Sequence, residues 1–284
     1  MSVQLLTTYW DVAVWELSDS FWERIKPLLP KPKSRYRGRG KKRKNIGGRP
    51  PADQRRVMAG ILYVLRTGCQ WLSAPREFGS GQTLHRYFQR WVKLGVFKKM
   101  WRAGVSEYDE IKGLELKWQS ADGCQTKAPL GGKSTGKNPT DRSKSGTKRS
   151  LLVEGKGVPI GIVVDRASRH DLKLLAKTLD ARLVETEEEI EENLCLDKAY
   201  SGEPALEIGR THGYIVHCPE KANAKQKRKR KSGRRKARRW RVEVTHSWLN
   251  RFRRLLIRWE KKVSNYLSML YFACAIICWR KCEL

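Results

Sequence analysis

Acid is what this chain lacks. Its 284 residues carry 29 Asp and Glu against 60 Lys and Arg, which leaves a formal charge of +31 at neutral pH. Solubility needs far less. A field of that sign and size favours a polyanion, and nucleic acid is the obvious one. An anionic membrane surface fits less well, because the basic residues are not confined to one amphipathic helix. Long hydrophobic runs are missing too: the apolar stretch Leu267 to Trp279 is too short to span a bilayer. The N-terminus has no basic segment followed by an apolar core, so no secretory signal is expected. Paired cysteines are the third absence. The seven (Cys69, Cys124, Cys195, Cys218, Cys274, Cys278, Cys282) are odd in number and include no CxxC, which argues against a zinc ribbon and a disulfide framework. Cys274, Cys278 and Cys282 recur every four residues and read as small hydrophobes on one buried helical stripe. The expectation is a soluble protein with reduced thiols.

What is present divides into two parts. Residues 1–15 are an uncertain leader. Residues 16–112 read as an all-helical domain: a helix over Glu16 to Pro30, a second over Ala52 to Leu65, and helical turns from Thr83 to Trp101 broken at Gly95. Between the first two, residues 31–51 form a linker rich in Lys, Arg, Gly and Pro without hydrophobic period. From residue 113 the character changes. Leu116 to Ala121 is strand-like, and Lys148 to Val153 and Val158 to Val164 are β-rich runs joined by the turn Glu154-Gly155-Lys156-Gly157. A helix over Asp171 to Arg182, a short strand Asn193 to Leu196, a helix Glu203 to Arg210 and a strand Tyr214 to His217 follow. Gly131 to Gly146 is a polar surface loop, residues 221–238 are a basic insertion, and Val263 to Trp279 is a buried helix. The order predicts an α/β fold, a mixed sheet layered by helices.

In so basic a chain, three acids stand out. Asp122 follows the alternating segment Leu116 to Ala121, Asp197 ends an apolar run, and Glu243 opens a long basic amphipathic segment. Two carboxylates at strand ends and one on a nearby helix suit magnesium, which takes one or two carboxylates and completes its octahedron with substrate phosphate. Two such ions steady an in-line displacement at phosphorus. Gly123 and Lys198, each following an aspartate, would give backbone access and a phosphate-directed charge. The bland alternative is strand-end aspartates that cap turns. At His170-Asp171 a catalytic histidine is the functional reading, and Asp171 as the cap of the next helix is the bland one.

Longer motifs extend the pattern. They include LSDSFWERIKPLLP, GRPPADQRRVMAGILYVLRTGCQW and QTLHRYFQRW in the first half. The second half has ADGCQTKAPLGG, NPTDRSKSGTKRSLLVEGKGVPIGIVVDRASRHD, LCLDKAYSG and VEVTHSWLNRFRRLLIRWEK. On these the chain resembles the DDE transposases of bacterial insertion sequences, most closely the insertion-sequence-five family, from Leu17 to Trp279.

The resemblance implies an RNase H-like catalytic domain with Asp122, Asp197 and Glu243 as its triad and Mg²⁺ or Mn²⁺, two ions per site, as cofactor. It implies double-stranded DNA as partner, both the terminal inverted repeats and the target, cut and joined by a homodimer in the bacterial cytosol at the nucleoid. Arg239 stands four residues before Glu243, as in related families, while Lys236 and Asn250 replace their Tyr and Lys. Further DNA contacts are expected at Arg55 and Arg56, at Arg142 and Lys144 of the polar loop, and at Lys198. Arg251, Arg253, Arg254 and Arg258 are expected to form the basic face of the Glu243 helix, with Phe252, Leu255, Leu256 and Trp259 inward. The rival reading is a decayed or repurposed copy that binds DNA without cutting it.

Overall fold

The computed structural model describes residues 17–31, 36–37, 44–45, 50–185, 190–219, 238 and 240–283. The leader, most of the linker, nearly all of the basic insertion and Arg239 lie outside the described residues. Two compact units divide between Val96 and Phe97.

The first unit is helical because its caps and apolar spacings agree. α1 (Asp19–Ile25) begins where Ser18 Oγ accepts the Phe21 N–H, and it ends in a 3₁₀ turn at Lys26–Leu28, before Pro30. α2 (Gln54–Thr67) starts at Asp53, whose carboxylate accepts the Arg56 N–H at 2.9 Å, and stops at Gly68, which takes the left-handed φ of 72°. α3 (Gly81–Lys93) is capped by Ser80. Leu84 and Phe78 occupy the space over Gly60 that any larger residue would fill, so α2 and α3 pack closely there. Val57, Ile61, Leu65, Phe88 and Trp91 are buried with them. The segment joining α2 to α3, residues 68–80, contains two 3₁₀ turns and is too long for a helix-turn-helix.

Among the described residues the second unit's sheet has six strands, five of them longer than two residues: β1 (Trp118–Lys127), β2 (Ser145–Val153), β3 (Pro159–Arg166), β4 (Glu192–Cys195) and β5 (Tyr214–His217). β2 pairs antiparallel with β1 on one edge and β3 on the other, while β1–β4 and β4–β5 are parallel, giving the order β3-β2-β1-β4-β5. A two-residue ladder, Gly136–Lys137, also joins β2. The mixed sheet with flanking helices is the architecture expected from sequence, an RNase H-like fold behind a helical N-terminal region.

β2 is buried from Gly146 to Val153, and its alternation assigns the layers. Ser150 meets Thr178 of α5 (Leu172–Asp180) at 2.7 Å, while the adjacent Arg149 meets Asn250 of α7 (Trp240–Asn250) at 2.5 Å. α5 and α7 therefore cover opposite faces of the sheet. α9 (Val263–Glu283) is buried along most of its length, including Cys274, Cys278 and Cys282; burial pushes the Cys274 and Cys278 thiols up. Outside the central sheet lie α6 (Glu203–Thr211) and α4 (Val96–Lys112).

α4 differs from the sequence division, which placed it with the N-terminal helices. It packs within the second unit: Trp101 stacks on Tyr271 and donates its indole N–H to the Pro159 carbonyl at 2.9 Å. Gly104 brings α4 against Cys278 of α9.

Candidate active site

The site begins with a gap in the edge of β1. On one edge β1 is paired with β2 as far as Lys127. On the other, β4 accompanies it only from Trp118 to Ser120. Ile257 forms a single bridge with Lys127 on that same side, after α8 (Arg253–Leu256). Among the described residues, Ala121 to Thr126 have no strand neighbour there. The gap lies outside the carboxyl end of β4, where α/β sheets hold their ligands.

Asp122 sits in this gap. It occupies the middle of β1 and not its end, which corrects the expectation from sequence; the strand that ends beside it is β4. The parallel register pairs Ser120 with Cys195, so position 122 is level with 197, two residues past the end of β4. Asp197 there leaves the sheet and starts a 3₁₀ turn, its carboxylate accepting the Lys198 N–H at 2.7 Å. Asp122 shares the Arg149–Leu151 face of the sheet by register, which is the α7 face. Glu243 lies in the first turn of α7, and one turn later His246 comes within 3.4 Å of the Asp122 carbonyl.

The electrostatics tie these groups together. Burial raises the Asp122 carboxyl from 3.8 to about 6, against a backbone hydrogen bond from Gly123 that lowers it. Asp171, Asp197 and Glu243 add like charge, in that order. Tyr200, buried in the turn after Asp197, is pushed up by burial and then by Asp171, Asp122 and Asp197. His246 is buried and falls to about 3, chiefly from burial and then from Arg149, so it is a neutral imidazole at physiological pH.

The donor set fits a hard divalent cation: oxygens only, with mutual repulsion that positive charge would relieve. Among the described residues no three His, Cys, Asp or Glu side chains stand together in one coordination shell. The like charges of Asp171, Asp197 and Glu243 nevertheless reach Asp122.

The predicted basic residues divide. Arg142, Lys144 and Lys198 are exposed. The loop bearing the first two is fixed to the second half of β1, where Thr140 Oγ1 donates to Gln125 at 2.6 Å. Arg251 and Arg253 are exposed as well. Arg254 is not on a DNA face. It is buried and paired with buried Glu260 at 2.7 Å, which corrects the expectation from periodicity. Arg258 is fully buried and donates to the carbonyls of Lys133, Ser134, Glu260 and Lys261 and to Thr147 Oγ1, which pins the loop after β1. Leu256 and Trp259, expected inward, are 47% and 40% exposed. In the first unit, Arg55 bonds the Asp19 carboxylate and Arg56 the Glu77 carbonyl.

Asp171, read from sequence as a helix cap, makes no capping bond on α5, while the buried His246 and Tyr200 were not singled out for the site. Glycine at 123 was the available signal for Asp171, since mid-strand glycine marks a close approach.

Two family profiles match the chain. "Transposase DDE domain" covers residues 116–278, and "Putative transposase of IS4/5 family" covers residues 17–101. One relative, "Putative transposase for insertion sequence element IS402" of Burkholderia cepacia, is 32% identical over 150 residues, 51% of this chain and 68% of the relative. A second from that organism, "Insertion element IS402 uncharacterized 16.2 kDa protein", is 30% identical over 125 residues, 43% of this chain and 80% of the relative. No solved structure matches.

Proposed function

The chain belongs to the DDE transposases of insertion sequences, and from that premise we propose that it binds the terminal inverted repeats of its own element, cleaves there and joins the 3′ ends to target DNA. The observation that carries the reading is the gap in β1, where Asp122 and Asp197 are level and Asp122 feels the charge of Glu243. DDE transposases use divalent metal; we assign Mg²⁺ or Mn²⁺ here, two ions per site. Asp122, Asp197 and Glu243 would hold them. A divalent cation supplies, when bound, charge neutralisation at the scissile phosphate and activation of the attacking oxygen.

The chain's own contribution is placement. The register sets positions 122 and 197 at one level, and Glu243 in the first turn of α7 would supply the third carboxylate. No covalent nucleophile is required, since orientation and charge neutralisation carry phosphoryl transfer. Lys198, Arg142 and Lys144 would meet the phosphates around the cut, and Arg251 and Arg253 the flanking backbone. The first unit and its basic linker would bind the repeat duplex, and residues 221–238 would be a separate source of phosphate contacts. Two ends must be joined, so the working form would be a homodimer on DNA, in the cytosol at the nucleoid. No helix among the described residues is long and apolar enough to cross a membrane.

Labelled duplexes carrying the ends of the DNA that flanks this reading frame test the proposal. Incubated with protein and Mg²⁺ or Mn²⁺, they are expected to yield both nicked and joined strands. Nicked strands without joined product would make it a nuclease, and tight binding without either would make it a binding protein.

The two kinds of arginine after α7 give a second test. Neutralising Arg251 and Arg253 to Gln is expected to lower the slope of log K against log salt by about 1 per residue lost. Arg254→Met is expected to leave that slope alone and to lower the melting temperature, because it strands the buried Glu260 carboxylate. A slope that moves with Arg254 and not with the other two would reverse the assignment.

A further inference from the structure

The three helices of the first unit differ in what their polar side chains do. α1 carries two exposed acids, Asp19 and Glu23. The opening turn of α2 is engaged with its neighbours: Gln54 Nε2 donates to the Pro30 carbonyl at 2.8 Å, Arg55 pairs with Asp19, and Arg56 donates to the Glu77 carbonyl. α3 is different. It contains no acid, and among the described residues no hydrogen bond or ion pair holds the side chains of Gln82, Arg86, Arg90 or Lys93.

Helical phase gathers these residues on one side. Leu84, Phe88 and Trp91 are buried, Leu84 against Gly60 of α2 and Phe88 with its ring 5.1 Å from that of Trp71. Gln82, Arg86, Gln89 and Lys93 recur at helical spacing on the opposite side, with Arg90 flanking them. Gln82, Arg86 and Lys93 are exposed, and Gln89 is half-buried, 3.4 Å from His85. The helix is rigidly backed: Ser80 caps it by accepting the Thr83 N–H, and the Tyr87 hydroxyl accepts the Ala52 N–H at 3.1 Å. The length of the segment before α3 rules out the standard helix-turn-helix, but α3 is placed by its own packing and needs no such turn.

The chemistry of that face is selective. The major groove admits one α-helix, and Arg and Gln are the side chains that pair bidentately with the edges of guanine and adenine there. Gln82 to Gln89 spans about 10 Å of helix, the rise of about three base pairs. Beside the N-terminal half of α3 lies a cleft whose lining includes Arg56, Arg76, Ser80, Thr83, Arg86 and Tyr87. Asp53 lines it too, but its carboxylate accepts the Arg56 N–H as the cap of α2.

We propose that the outward face of α3 reads the sequence of the terminal repeat in the major groove, with Gln82, Arg86 and Gln89 on base edges. Lys93 and the exposed Arg76 meet the flanking phosphates. The inference rests on the reading of this chain as one that binds the ends of its own element, and it separates the side chains that specify from those that hold. Arg55, engaged with α1, falls outside this surface.

The test compares two duplexes bound by the full-length protein: one carrying the ends of the DNA that flanks this reading frame, the other of equal length and composition with the sequence shuffled. Gln82→Ala, Gln89→Ala and Arg86→Lys leave the net charge unchanged, and Arg86→Lys removes the planar fork alone. Each is expected to melt as the wild type does, to bind the end duplex about tenfold more weakly and to bind the shuffled one within about twofold of wild type. Arg76→Gln is expected to weaken both duplexes alike and to lower the salt slope by about 1. Three variants that keep the wild-type preference would overturn the proposal, as would three that fall equally on both duplexes. A wild type that does not prefer its own ends would instead remove the reading of repeat recognition on which the proposal rests.

Discussion

Replacing Asp197 with Asn is expected to lower strand cleavage by on the order of 10³-fold or more while DNA binding stays within about twofold of wild type. The substitution removes one negative charge and almost no volume. Asp197 caps a short turn by accepting the Lys198 N–H, and the amide oxygen of Asn can accept the same bond. Its neighbours are held independently, for Leu196 and Tyr200 are buried on either side. The turn should therefore survive, and what disappears is an anionic oxygen level with Asp122. Binding is governed by phosphate contacts from basic residues, which this change does not touch. The measurement pairs a cleavage time course in Mg²⁺ with a gel-shift titration at fixed salt. Cleavage that persists would remove Asp197 from the centre. Lost binding would make it part of the fold or of the DNA surface.

The fold was largely legible because its strands announce themselves locally. Tyr214 to His217 is a strand within the bounds its alternation gave, and the turn at Glu154 to Gly157 joins two strands as its glycines require. There the buried Glu154 carboxylate accepts the N–H groups of Glu115, Lys156 and Val158, a contact no local pattern announces. The basic face after Glu243 misled for a related reason. Helical phase was carried from Glu243 past residue 250, but α7 stops at Asn250 and Phe252 is extended, with ψ of 95°. A break in the helix resets which residues face inward, so Arg254 and Arg258 turn into the core while Leu256 and Trp259 turn out. Asp171 was hidden more deeply. Its place beside Asp122 depends on β2 and β3 carrying the chain back across the sheet, and on a glycine at the crossing. Neither is visible in the residues around Asp171 itself.

Burial, and after it the like charge of Asp171, Asp197 and Glu243, makes Asp122 costly to the metal-free protein, and this gives the second large effect. Its carboxyl titrates near 6 in the folded chain against an ordinary 3.8, so between those values the folded state binds more protons than the unfolded one. Stability of the metal-free protein must therefore fall as pH rises from about 4 through 6 and then level off. A difference of that size corresponds to about 3 kcal/mol at most, and partial solvation of the side chain brings the expected penalty to about 1–3 kcal/mol above pH 7. Asp122→Asn removes the charge and with it the penalty. In chelator, the variant is expected to melt several degrees above wild type at pH 7.5 and to converge with it toward pH 4. A divalent cation should narrow the gap at pH 7.5 by stabilising only the wild type. It should also bind less tightly by up to about tenfold per pH unit below 6, where a proton competes for the same oxygens. A melting difference that stays constant from pH 4 to 7.5 would mean that the variant acts through packing and that Asp122 is not under electrostatic strain. A difference that opens with pH and closes with cation is what a carboxylate placed for a cation, and destabilising until one binds, should produce.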